Sequence, residues 1–167
     1  NAGISPPDDD SILDTSLEAW QRVQDVNLTS VFLGCKAVLP YMLEQGSGSI
    51  VNTASFVATL GAATSQISYT ASKGGVLALT RELGVQFARD GVRVNAISPG
   101  PTDTTGITEL VGEENAAAFK ANEGSRIAIG RIGRPDEIAA AVAFLASADS
   151  SFMLGANLYV DGGENQI

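Results

Sequence analysis

The sequence predicts an α/β fold built on a parallel sheet, and three observations carry that prediction. Segments with helical spacing of apolar residues alternate with short β-rich segments in the order helix, strand, helix, strand, helices, strand. The β-rich segments are bounded by glycine, serine or proline. Each pair of them is separated by enough chain for a right-handed crossover.

The elements follow in order. Residues 5–16, SPPDDDSILDTS, are rich in proline and aspartate and predict a loop. Ser16 is placed to cap a helix over 17–44, in which Trp20, Val23, Val26, Asn27, Val31, Leu33, Val38 and Met42 recur at helical spacing. Pro40 and the EQGSGS that follows are expected to end it. SIVNTAS, 49–55, predicts a buried parallel strand. Helical spacing returns over 69–89, with Val76, Leu77, Leu79, Thr80, Leu83 and Phe87 as its apolar stripe. GVRVNAISPG, 91–100, predicts a second strand stopped by Pro-Gly, and 107–123 is acidic and weakly helical. Pro135, Asp136 and Glu137 mark the amino-terminal turn of a further helix, where a fixed φ and negative charge both suit the helix dipole. GANLYVDGG, 155–163, predicts the third strand.

The composition sets bounds on function. The 167 residues suffice for one ordinary domain. Ten basic residues stand against 19 acidic ones, for a formal charge of −9, so a nucleic-acid partner is not expected. With no histidine, the commonest general base and zinc ligand are missing, and no metal site is expected. The single cysteine, Cys35, excludes an intrachain disulfide and is expected to be a buried small hydrophobe. No apolar stretch is expected to span a bilayer and no signal-peptide pattern opens the chain, so a cytoplasmic setting is the expectation.

Three parallel strands make a small sheet. Such strands are normally buried on both faces and flanked by neighbours, and three alone would leave a flat apolar edge. The chain is therefore expected to be the carboxy-terminal part of a larger domain, lacking the half that would carry a Gly-rich phosphate loop.

Candidate chemistry concentrates at a few positions. Tyr69 and Lys73 are four apart and share one helix face, where an ammonium would favour the phenolate. The pair offers an alcohol or carbonyl a proton donor or acceptor, although the same spacing also serves packing and solvation. Gly74 and Gly75 allow close approach either to a ligand or to another helix, at about 1 kcal/mol each in helix propensity. Ser55 follows the first strand at its carboxyl end, where open parallel sheets place ligands. Asn27, inside a helix, either satisfies a backbone group or holds water in a proton path. Pro99-Gly100-Pro101 forms a stiff turn whose carbonyl and amide groups suit the polar edge of a flat ligand.

These residues resemble the short-chain dehydrogenase/reductase family. The resemblance rests on NAG at 1–3, Asn27 in DVNLTSVF, Ser55 in IVNTAS, YTASK at 69–73, the PG…T segment 99–104, GRPDEIA at 133–139 and YVDGG at 159–163, in family order along essentially the whole chain. It implies a Rossmann-type doubly wound parallel sheet, with residues 1–167 forming the carboxy-terminal part of one NAD(P)-binding domain and the amino-terminal phosphate-binding half absent. Within the family the sequence is most similar to 3-oxoacyl-(acyl-carrier-protein) reductases.

The resemblance assigns roles. Tyr69 is implied as the catalytic acid or base, Lys73 as the residue that lowers its pKa and binds the nicotinamide ribose, Ser55 as the donor to the substrate carbonyl, and Asn27 as the holder of a relay water. Asn1 and Gly3 are implied to border the adenosine side of the cofactor, while Pro99, Gly100, Thr102 and Thr104 grip its carboxamide and pyrophosphate. Val160 through Gly163 are implied to pack near the site and a subunit interface. The interval from Ser55 to Tyr69 is one residue longer than the family's, and Phe56 stands at the usual position, which leaves Thr53 as an alternative to Ser55.

The cofactor is NAD or NADP, because the discriminating residue would lie upstream of Asn1. The substrate is a small-molecule carbonyl or alcohol. Residues 102–130 resemble the family's variable substrate loop, with Ile107, Leu110, Val111 and Phe119 as an apolar cover and Arg126, Arg131 and Arg134 as a basic patch. The expected partners are the missing amino-terminal segment or a complementary chain, and further copies in a homotetramer built through helices 17–44 and 69–89 and the last strand. The alternative is an inactive fragment or non-catalytic assembly module of the same fold.

Overall fold

Ser16 starts the first helix as expected, its hydroxyl accepting the Ala19 amide at 3.1 Å. In the computed structural model, which describes residues 1–62 and 64–166, α1 (Leu17–Gln24) runs through a π-helical turn (Asp25–Thr29) into α2 (Ser30–Gln45). The single predicted helix is thus three segments, and Asn27 sits in the interruption, where it is fully buried. Amphipathic spacing does not report a one-residue change in hydrogen-bond ladder, because the apolar stripe survives it.

Pro40 does not end this helix. It lies inside α2, which continues to Gln45 and stops at Gly46, whose φ of 66° is left-handed. The amides of Gly46 and Ser47 then bond back to the carbonyls of Leu43 and Met42.

The strands β1 (Gly48–Thr53), β2 (Val92–Pro99) and β3 (Asn157–Val160) form one parallel sheet in that order. Gly48 pairs with Val92 and Thr53 with Ile97, while Ala96 pairs with Asn157 and Pro99 with Val160. Between β1 and β2 runs α3 (Ile67–Gln86). The connection from β2 to β3 holds α4 (Thr105–Val111), α5 (Glu113–Arg126) and α6 (Pro135–Ala146), so α6 begins at the predicted proline. The expected apolar cover falls on α4 and α5, except that the side chain of Leu110 lies outside the described residues.

The side chains of β2 alternate between two layers. Val92 and Val94 pack with Cys35 and Leu39 of α2 and with Leu83 and Phe87 at the end of α3. Ala96 joins Val76 and Leu77 of α3. Cys35 is the buried hydrophobe expected, and burial pushes its thiol pKa up. On the opposite face, the Arg93 guanidinium donates to the carbonyls of Leu145, Ser147 and Ser150 at 2.9–3.1 Å, capping the carboxyl end of α6 with a cation.

One expectation needs correction. Leu17–Gln45 contains a window of mean hydropathy 1.4, enough by length and composition to cross a membrane. Here the helix lies against β1 and α3 through Asn27, Cys35 and Leu39, and it leaves Phe32, Leu33 and Tyr41 exposed. The apolar count is high because both its inner and outer faces are apolar.

Replacing Arg93 by Met is expected to destabilise the fold by about 1.5–3 kcal/mol, the range for hydrogen bonds to a charged group. Denaturant unfolding measures it, and a loss under 0.5 kcal/mol would show that water satisfies those carbonyls equally well.

Candidate active site

The carboxyl ends of β1 and β2 open onto a cleft of about 1300 Å³. Asn1, Gly3, Thr53, Ser55, Phe56, Tyr69, Lys73, Pro99, Gly100, Thr102 and Thr104 all line it. Every sequence-predicted site residue except Asn27 therefore meets in one place.

Lys73 is 5% exposed, and its ammonium donates to the Thr53 carbonyl at 2.9 Å. Burial holds its pKa below the usual lysine value. The ammonium stands 5.6 Å from the centre of the Tyr69 ring. Burial raises the pKa of the Tyr69 phenol, while the neighbouring Ser55 side chain pulls it the other way. The Lys73 ammonium is directed at the Thr53 carbonyl, and desolvation is the largest influence on the phenol.

Ser55 is 6% exposed and extended, and its carbonyl accepts from Ala58 to start a short 3₁₀ turn, Phe56–Ala58. Of the two hydroxyls that the sequence left open, that of Ser55 acts on the phenol by lowering its pKa, whereas Thr53 donates to the Asn1 side chain at 3.2 Å. The extra residue in the following loop leaves Ser55 in place. That loop is tied to β3 by the contact of the Thr59 and Tyr159 hydroxyls at 2.6 Å.

Asn27 lies behind the cleft. Its Oδ1 accepts the Ile4 amide at 2.8 Å, and its Nδ2 donates to the Ile4 carbonyl at 2.9 Å and to Ser72 Oγ at 3.1 Å. Between the two uses left open by the sequence, the side chain is engaged in satisfying backbone. Gly3 fits against it, since a Cβ there would stand 3.6 Å from both Asn27 Oδ1 and Lys73 Nζ.

Gly75 and Gly100 serve packing. A Cβ on Gly75 would fall 2.7 Å from Leu28 Cδ2, so this glycine lets α3 meet the π-turn. A Cβ on Gly100 would fall 2.8 Å from Asp161 Cα, its amide bonds to the Val160 carbonyl, and its own carbonyl accepts from Thr102. Gly100 therefore shapes the cleft wall, and its polar groups are already paired within the protein. The loop after it is fastened to Gly133, which exchanges backbone hydrogen bonds with Pro101 and Asp103 at 2.9 Å.

The basic patch is likewise corrected. Arg126 pairs with Glu123, Arg131 with Glu137 and Arg134 with Asp136. The Arg131 hydrogen bond and the Arg134 amide hold the Glu137 carboxyl down at about 2.

One residue in the site's support went unread in the sequence. Asp9 is 4% exposed and accepts the amides of Ser68 and Tyr69 at 2.8 Å each. Nothing in DDD distinguishes its middle member before folding.

The site is suited to a flat, polyhydroxylated ligand. Lys73 has three N–H donors, and among the described residues a single carbonyl answers them. The cleft brings that ammonium together with two hydroxyls at a strand-end crevice, the usual place for nucleotides in open α/β sheets. These features suit a nucleotide bound at the strand ends.

Comparison with known proteins makes the assignment specific. The sequence profile of the family described as enoyl-(acyl carrier protein) reductase matches residues 1–165. A cis-4-hydroxycyclohexanecarboxylate dehydrogenase of Sinomonas cyclohexanicum is 44% identical over all of this chain and 64% of its own length. A 3-oxoacyl-(acyl-carrier-protein) reductase of Vibrio cholerae is 39% identical over all of this chain and 65% of its own. An Agrobacterium tumefaciens structure with bound NADP, provisionally described as a 2-deoxy-D-gluconate 3-dehydrogenase, is 37% identical with a TM-score of 0.87, over 98% of this chain and 65% of that one. The chain belongs to the short-chain dehydrogenase/reductase family, and its fold is of the Rossmann type. It spans just under two thirds of the length of these relatives.

Replacing Ser55 by Ala is expected to move the Tyr69 ionisation to higher pH, because the polar side chain that opposes the effect of burial is lost. Phenolate difference absorbance, referenced to Tyr69→Phe, reads the shift; an unchanged or lower pKa would show that Ser55 does not act on the phenol.

Proposed function

We propose that this chain supplies the catalytic half of an NAD(P)-dependent oxidoreductase that interconverts a small-molecule carbonyl and a secondary alcohol. The observation that carries the reading is the convergence of Ser55, Tyr69 and buried Lys73 at the carboxyl end of β1. The bound nicotinamide would supply or accept the hydride.

The residues divide the remaining work. Tyr69, its pKa raised, is protonated at neutral pH, the state that gives a proton to a carbonyl oxygen being reduced. Ser55 donates a hydrogen bond to the same oxygen and orients it. Lys73 has N–H donors for ribose hydroxyls and places positive charge beside the phenol as its proton leaves. Asn27 acts through Ile4 and Ser72, holding the NAG segment against α3 and leaving proton exchange with solvent to the groups at the cleft.

Asn1, Gly3, Pro99, Gly100, Thr102 and Thr104 border the cofactor, with Gly100 contributing shape. Thr104 makes no cap hydrogen bond to α4, so its hydroxyl remains available to a ligand. The phosphate-binding part corresponds to the third of the relatives that this chain does not span, and it carries the choice between NAD and NADP. Helices α4 and α5 cover the substrate, with Lys120 fastened to Asp103 at 2.6 Å. With its arginines paired, this cover favours the uncharged part of a substrate, a 3-oxoacyl chain or a cyclic alcohol. Exposed Phe32, Leu33 and Tyr41 on α2 and Val85 on α3 suit association into a homotetramer. A cytoplasmic setting belongs to the same reading.

In the full-length protein, Tyr69→Phe is expected to lower turnover by about 10²–10⁴-fold while leaving the Kd for NAD(P)H within a few-fold. Near-normal turnover in that variant would overturn the assignment.

A further inference from the structure

We propose that Asp9 is a positioning residue for the reaction: its carboxylate, reaching from the amino-terminal loop, caps α3 and fixes where Tyr69 stands. The proposal rests on the role given to Tyr69 above.

A helix begins with amide donors that have no intrahelical partner. In α3 the residue preceding the helix, Gln66, makes no side-chain cap. The donors are answered instead from sixty residues away. Ile67 N donates to the Asp10 carbonyl at 3.2 Å, and the amides of Ser68 and Tyr69 donate to the two oxygens of Asp9 at 2.8 Å each. The next amide, that of Thr70, already bonds within the turn to Gln66.

A carboxylate held through both oxygens by successive amides sets the direction of the helix end as well as its position. One of those amides belongs to Tyr69 itself. Its negative charge also lies at the positive end of the helix dipole. Two more bonds join the same region to the amino-terminal half of the chain: Ser5 Oγ donates to Gln66 at 3.2 Å, and Gln24 donates to the Ser68 carbonyl at 3.0 Å.

The three consecutive aspartates have separate jobs. Asp8 is exposed and pairs with Arg22 at 2.6 Å. Asp10 is exposed and uses its backbone, through the carbonyl to Ile67 and the amide to Thr15. Asp9 alone turns inward, buried to 4%. A charge-only role for the run would make the three interchangeable, whereas the geometry makes the middle one unique.

The test compares Asp9→Ala, Asp9→Asn and Asp10→Asn in the full-length protein. Three quantities are read: amide hydrogen exchange at Ser68 and Tyr69; the Kd for NADH and NADPH; and kcat for a ketone that the wild type reduces, drawn from a panel of 3-oxoacyl thioesters and cyclic ketones. Displacement of a reacting group by about 1 Å can cost on the order of 10²-fold. The expected result for Asp9→Ala is a loss of that size in kcat, faster exchange at both amides, and Kd values within about threefold of wild type. Asp9→Asn, which keeps one acceptor and turns a donor toward the second amide, is expected to lose roughly 10-fold in kcat. Asp10→Asn is expected to match the wild type.

If Asp9→Ala does not fold, the isosteric Asn decides alone. A lower melting temperature with unchanged kcat per folded molecule would mean that the cap only stabilises, and it would overturn the proposal. Unchanged exchange at Ser68 and Tyr69 would overturn it as well. Failure of the underlying reading looks different: the wild type reduces no ketone of the panel, or Tyr69→Phe retains turnover, and the role of Asp9 then falls with that of Tyr69 even where the amides respond.

Discussion

The bond from the Lys73 ammonium to the Thr53 carbonyl is the contact on which the site depends. It joins the first turns of α3 to the end of β1 and places a cation where little water reaches it. Burying an ammonium is costly unless it is hydrogen-bonded, so α3 has little freedom to slide along the strand. Tyr69, one turn earlier on the same face, inherits that position. Ser55, two residues beyond Thr53, inherits it from the strand side.

The rest of the architecture converges on this junction. The parallel register of β1 with β2 brings Thr53 beside Ile97, and the β2–β3 register places Pro99 beside Val160, so the strand ends and their loops reach one crevice. The amino-terminal loop closes the junction from the other side, through Asn27 on Ile4 and Asp9 on α3. Small residues permit the approach: Gly75 admits Leu28, and Gly100 admits Asp161. Such a site is assembled from separate stretches of chain, and no one of them would place Tyr69 in the cleft with Ser55 alone.

Much of the fold was legible because periodicity is a local signal. The three strands fall within three residues of their predicted bounds, and α6 begins at Pro135, where a fixed φ and two acidic residues favour a start. The π-turn was not legible, nor was the passage of α2 through Pro40. Both change one or two backbone hydrogen bonds without changing which residues are apolar. The arginines were misread as a patch because net charge along a sequence does not show the carboxylates that folding brings to meet them.

By itself the sequence determined the residue types at the site and the elements that carry them: a tyrosine and lysine one helical turn apart, a serine at a strand end, and a loop of prolines and aspartates. Only the tertiary structure decided what each group touches. It sent the Lys73 ammonium to a carbonyl, left the Tyr69 phenol raised by burial, engaged the Thr53 hydroxyl with Asn1, and turned Asp9 inward while Asp8 and Asp10 face water. The physical reason is that helix and strand spacing follow from local backbone geometry, whereas desolvation and hydrogen-bond partnership depend on groups sixty residues away in sequence at Asp9 and 100 away at Thr59.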